Sequence, residues 1–175
     1  MKKTVFVAVA ALFAVCGSVS ADELKINGEF KAVNAKTNLP ERWNRNGVKT
    51  AVTELVRKGD DNILKIKNEK GYFAMYNSLR IPAKAGDTFK FEIKVKGKGE
   101  LSVGYYAYGS KGHSGTGGAM IKVDSSLFFK EYKGTFTVAP PYKGKDISYI
   151  HIQFGSYKAV DIEVEEIEVE PVIVQ

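Results

Sequence analysis

Across residues 88–96 the chain alternates without a fault: Phe89, Phe91, Ile93 and Val95 against Lys90, Glu92, Lys94 and Lys96. Successive side chains of a β-strand point to opposite faces, so this spacing specifies a strand with one apolar face and one solvated face. The same period recurs down the chain. Leu101, Val103, Tyr105 and Ala107 share one face of residues 100–108, and Ile150, Ile152 and Phe154 share one face of residues 147–155. Val160, Ile162 and Val164 alternate with Asp161 and Glu163. At Glu165-Glu166 the alternation slips by one before Ile167 and Val169, the signature of a β-bulge.

Short apolar-polar runs fill the remainder. Residues 52–56 and 63–67 read as strands joined by the turn Lys58-Gly59-Asp60-Asp61-Asn62, and a turn at residues 68–71 leads into a strand over residues 72–76. Gly97 and Gly99 are expected to turn residues 88–96 into the next strand. Residues 109–118, GSKGHSGTGG, read as a mobile rim loop with His113 as an exposed loop residue. No Lys-Ser or Lys-Thr follows these glycines and no helical pattern opens after them, which excludes a nucleotide loop. Residues 119–123 form a short strand. A longer one over residues 129–138 buries Tyr132, Phe136 and Val138 and stops at Pro140-Pro141, which cannot donate to a ladder. About ten short strands without helical spacing predict an all-β fold, a two-sheet antiparallel β-sandwich.

The first residues predict export. Lys2 and Lys3, an apolar run from Thr4 to Val15 and the small residues Val19-Ser20-Ala21 have the form of a secretory signal peptide, residues 1–21, whose apolar run is shorter than a membrane span of about 20 residues. Residues 22–175 then form a single domain, secreted or periplasmic, with no membrane insertion. Its only cysteine would be removed with the signal, so packing alone must hold it. A lipoprotein reading would instead make Cys16 the lipidated first residue, but Val15 before it is larger than such a site prefers. Removing Lys2 and Lys3 lowers the formal charge from +6 by two, a mild excess spread along the chain that permits attraction to acidic polymers.

The outward faces of two strands are unusual. Tyr149, His151 and Gln153 point away from Ile150, Ile152 and Phe154, while Tyr106 and Tyr108 point away from Tyr105 and Ala107. A solvent face without a task normally carries Lys, Glu, Thr and Ser. A sugar offers an apolar C–H face and a rim of hydroxyls, and needs aromatic rings together with planar hydrogen-bonding groups. Tyr106, Tyr108 and Tyr149 supply the first, His151 and Gln153 the second, and Tyr72 and Tyr76 share a face of their own strand as extensions. Tyr106, Tyr108, Tyr149, His151 and Gln153 are the candidate ligand-binding site.

Other chemistries lack their residues. The acidic side chains fall on outer strand faces and turns, not as two carboxyls opposed across a cleft, so glycoside hydrolysis has no pair. Neither His113 nor His151 sits in a Ser/His/Asp context, two histidines give no zinc spacing, and no cofactor or metal site is expected. Lys90, Lys94 and Lys96 alternate with Glu92 and lack interleaved aromatics, which argues against nucleic acid. The chain is expected not to be an enzyme.

Several stretches then resemble a known family in their order. Asn27-Gly28-Glu29-Phe30, Leu39-Pro40-Glu41-Arg42-Trp43, Ala85-Gly86-Asp87-Thr88-Phe89, Tyr132-Lys133-Gly134-Thr135-Phe136-Thr137-Val138, residues 150–155 and the ending 162–169 resemble the carbohydrate-binding modules of families 4, 9 and 22. The resemblance implies a galactose-binding-like jelly roll and a non-catalytic binder of a polysaccharide or oligosaccharide working beside polysaccharide-degrading enzymes. It implies a packing role for Trp43. Such modules often carry a carboxylate for calcium directly after the opening Phe. Here that position is Lys31, a cation that opposes a metal. The same superfold serves protein contact, so the alternative expectation is a structural or adhesive envelope protein.

Overall fold

A strand of more than 20 residues laid flat would reach roughly 70 Å at about 3.3 Å per residue, far beyond the size of a small domain. This chain contains two such strands and folds them over. The computed structural model describes residue 24 and residues 26–172; the predicted signal and Cys16 lie outside the described residues. The strands are β1 (Val33–Asn34), β2 (Leu39–Pro40), β3 (Trp43–Gly47), β4 (Val52–Lys58), β5 (Asp61–Asn68), β6 (Phe73–Asn77), β7 (Ile81–Pro82), β8 (Thr88–Gly109), β9 (Gly112–Thr137), β10 (Tyr149–Ser156) and β11 (Val160–Pro171). Every pairing between them is antiparallel, and among the described residues there is no helix.

The hairpin β8–β9 belongs to both layers of a sandwich. Its closed end, with residues 102–108 of β8, pairs with β10, which carries β6 and then β3. Its open end, with residues 89–99 of β8, pairs with β11, followed by β5 and β4. The layers are therefore one curled sheet in the order β3-β6-β10-β8-β11-β5-β4, with β9 along β8. The fold is the expected all-β antiparallel sandwich.

Gly97 and Gly99 do not end a strand, as the sequence suggested, but bend one. Their φ angles of 110° and 136° lie where an L side chain is strained, and a Cβ on Gly97 would sit 2.2 Å from the Asp161 carbonyl oxygen. The ladder shifts register on both sides of Gly97, which lets β8 cross from one layer to the other. Opposite this bend β9 also runs on, so the separate strands expected at residues 119–123 and 129–138 are one. The bulge expected at Glu165-Glu166 is present, with the register shifting between Val164 and Glu166.

The inner faces meet in one core. Phe89, Phe91, Ile93 and Val95 from one half of β8, Leu101, Val103, Tyr105 and Ala107 from the other, and Ile150, Ile152 and Phe154 are all buried, so parity is kept through the glycine bend. Trp43 packs structurally, 2% exposed, against Phe30 and Phe154 at 6.1 and 5.3 Å between ring centroids. Its indole N–H donates to the Ile26 carbonyl at 2.9 Å, satisfying the polar atom that burial would otherwise strand.

Candidate functional site

Burying Ile150, Ile152 and Phe154 forces Tyr149, His151 and Gln153 onto the outer face of the β3-β6-β10-β8 layer. Register decides their neighbours. Tyr149 lies opposite Tyr108, His151 opposite Tyr106, and Gln153 opposite both Gly104 and Tyr76. On the far side of β8, Tyr108 faces His113 and Tyr106 faces Thr116. Five residues from two distant stretches of sequence are thus brought together on one face.

Ring contacts tie the face together. Tyr108 and Tyr149 stack at 5.5 Å and 8°, and His151 meets their edges at 5.3 and 5.4 Å. Tyr76 adds contacts to Tyr106 at 5.9 Å and His151 at 6.3 Å, which places it in the site as an extension. Tyr72 hydrogen-bonds the Tyr106 hydroxyl and packs on Tyr157 at 4.7 Å. His151 donates from Nδ1 to the Leu79 carbonyl at 2.9 Å, leaving Nε2 as the acceptor of the neutral ring. Burial pushes the Tyr106 and Tyr108 phenols above their ordinary range.

Gln153 sits below the rings rather than among them. It is 8% exposed, and its Nε2 donates to Thr116 Oγ1 at 3.1 Å and the Tyr105 carbonyl at 3.3 Å, while its Oε1 accepts from Tyr72 at 3.3 Å. Beside it Tyr72, Ser102, Thr116, Gly117, Gly118, Gly155 and Tyr157 enclose a hollow of about 130 Å³. Larger hollows lie away from the rings, one of about 230 Å³ between Ile26 and residues 166–170.

The stretch GSKGHSGTGG is not a rim loop. Only Ser110 and Lys111 make the turn; from Gly112 onward it is β9, paired with β8 except at Ser114, where the register shifts by one. The missing side chains allow close approach: a Cβ on Gly104 would sit 2.0 Å from the Gly117 carbonyl oxygen. His113, expected as an idle loop residue, joins the cluster, edge-on to Tyr108 at 5.5 Å, Tyr142 at 5.9 Å and Tyr106 at 6.0 Å. Arg80 and Tyr142 also escaped the sequence reading. The Arg80 guanidinium covers the Tyr149 ring at 4.9 Å, and no periodicity marks a residue in a connection for that role.

At the position after Phe30, Lys31 pairs with the Glu29 carboxylate, which holds the ammonium above its ordinary range. Among the described residues no group of three His, Cys, Asp or Glu side chains gathers to hold a metal.

No protein-family model matches the sequence, and no curated protein is similar to it. Solved structures share its fold. The family 11 carbohydrate-binding module of a cellulosomal cellulase of Clostridium thermocellum is 15% identical over 89% of this chain and 98% of its own, with a TM-score of 0.54. TmCBM61, solved with β-1,4-galactotriose, is 13% identical over 87% of this chain and all of its own, with a TM-score of 0.51. The chain spans 21% and 26% of two longer proteins that resemble it over that part alone, the active domain of bacteriophage CBA120 tailspike protein 4 and the α-L-arabinofuranosidase MgGH51. At these identities the likeness is one of architecture, and the chain has the jelly-roll fold of carbohydrate-binding modules.

Proposed function

We propose that this protein is an exported, non-catalytic glycan-binding module that takes a polysaccharide or oligosaccharide on the ring face of the β3-β6-β10-β8 layer and works beside polysaccharide-degrading enzymes. The observation that carries the reading is the contiguous contact of Tyr76, Tyr106, Tyr108, Tyr149 and His151 on an outer sheet face, where no packing need calls for aromatic side chains. Rings give van der Waals contact to sugar C–H groups, and phenols and imidazoles hydrogen-bond the hydroxyls. Whole modules of the same fold are named for glycan binding, which supports the same reading. Glu163, Glu165 and Glu170 of the opposite layer are held by lysines, which speaks against their use as an acid/base pair.

The test is affinity electrophoresis through gels containing xylan, galactan, mixed-linkage glucan or polygalacturonate, with wild type and Tyr149→Ala side by side. Retention of the wild type by at least one polymer, lost in the variant, is expected; no retention on any polymer overturns the reading. Export is tested separately, by sequencing the N-terminus of the protein recovered outside the cytoplasm, which should begin at Asp22.

A further inference from the structure

The ring face is bracketed by cations. At one end the exposed Arg80 lays its guanidinium over Tyr149. At the other, beyond His113, stand Lys111 at the β8–β9 turn and Lys145 in the loop of residues 139–148. Lys145 Nζ donates to the His113 carbonyl and Lys111 Nζ to the Gly144 carbonyl at 2.9 Å. Among the described residues, no carboxylate pairs with any of the three. The carboxylate of that loop, Asp146, is turned to Ser110, accepting from its N–H at 3.0 Å and its hydroxyl at 2.8 Å.

The opposite layer is mixed: among the described residues Lys67 and Lys130 also lack a carboxylate, but most of its lysines have one. On the opposite layer Lys58, Lys65, Lys90, Lys94, Lys96 and Lys133 each contact a glutamate. Around the rings the positive charge is left without a counter-charge and anchored by backbone carbonyls or an aromatic face, which keeps it in place.

We infer that the ligand of this face is an anionic glycan, one whose sugars carry carboxylate or sulfate groups. The rings take its C–H surfaces, Arg80 offers the planar fork that matches either acid group, and Lys111 and Lys145 attract the next charges along the polymer. The inference rests on the glycan-binding reading above and narrows it to a substrate class.

The experiment measures retention in gels containing polygalacturonate, chondroitin sulfate, neutral galactan, neutral xylan or poly-glutamate, at about 20 mM and about 300 mM NaCl, the latter shrinking the screening length below about 8 Å. One acidic polysaccharide should bind at least about tenfold more tightly than the neutral ones and weaken about tenfold with salt. Chondroitin sulfate carries both acid groups and polygalacturonate only carboxylate, so binding to both marks the carboxylate and binding to chondroitin sulfate alone marks the sulfate. Arg80→Gln should lose most of this binding and Arg80→Lys retain more of it, separating charge from ring coverage. Salt-insensitive binding to galactan or xylan that Tyr149→Ala abolishes overturns the anionic class and leaves glycan binding standing. Equal binding to poly-glutamate, indifferent to Tyr149→Ala, overturns the inference as plain ion exchange, and no binding to any polysaccharide overturns both readings.

Discussion

The two outer faces of the sandwich are built on the same long hairpin and solve solvent exposure in opposite ways. On the β4-β5-β11-β8 face, lysine and glutamate stand side by side across the strands: Lys90 with Glu170, Lys96 and Lys58 with Glu163, Lys133 with Glu92. On the β3-β6-β10-β8 face the same alternation delivers tyrosine and histidine. Exposed ion pairs add little stability but keep a sheet soluble and discourage edge-to-edge association. Half-buried rings do neither, and their grouping on one face is what the proposed glycan binding rests on. The difference between the layers begins at Gly97 and Gly99, where β8 leaves one for the other.

The bend is therefore the most damaging place to strike. Gly97→Ala puts a methyl group against the Asp161 carbonyl oxygen and forces a side chain to a φ of 110°. A loss of about 3 kcal/mol or more is expected by chemical denaturation. A variant as stable as wild type would mean that the two faces do not depend on this crossing.

Next in size is the binding itself. Tyr149→Ala should weaken glycan affinity by about thirtyfold or more, about 2 kcal/mol in calorimetric titration, because its ring touches Tyr108, His151 and Arg80 together. Its melting temperature should change little, since the side chain is only half-buried. Lys90→Ala on the charged face serves as the contrast and should leave affinity unchanged. If both variants bound alike, the functional distinction between the faces would fall.

Strand parity made much of this legible before any coordinates. It placed Phe89 to Val95, Leu101 to Ala107 and Ile150 to Phe154 inside, and so put Tyr106, Tyr108, Tyr149 and His151 outside. Three things were hidden because local sequence does not encode them. A glycine pair within alternating residues looks the same whether the chain reverses or bends, and only the partner β11 running past Gly97 decides. A glycine-rich stretch reads as a loop unless the facing strand is known to approach closely, as β8 does at Gly104. Burial on an outer face, as at Gln153, arises when Tyr72 comes over from β6 and Thr116 from β9 to cover it.

That covering gives Gln153→Ala an effect of a different kind from Tyr149→Ala. It leaves the Thr116 hydroxyl and the Tyr105 carbonyl without this donor and frees Tyr72, so it should cost about 1–2 kcal/mol of stability and lower affinity only through the displaced ring. Melting curves and titrations together separate the two: a stable variant with no affinity would make Gln153 a direct ligand contact and move the sugar deeper into the face.

The smallest effect belongs to the charged layer. Burial alone would raise the Glu163 carboxyl, but Lys96 and Lys58 more than offset it and hold it below its ordinary value of 4.5. Because the folded state prefers the ionised form, the stabilisation is present above the ordinary carboxylate range and is lost as pH falls through the lowered value. Glu163→Gln should therefore cost at most about 1 kcal/mol at pH 7, flatten the acid limb of the stability curve, and shrink in effect at high salt. Titrations at pH 7 should return the wild-type affinity. A change there would show that the two faces communicate through β8, and the ion pairs could no longer be treated as separate from the ring surface.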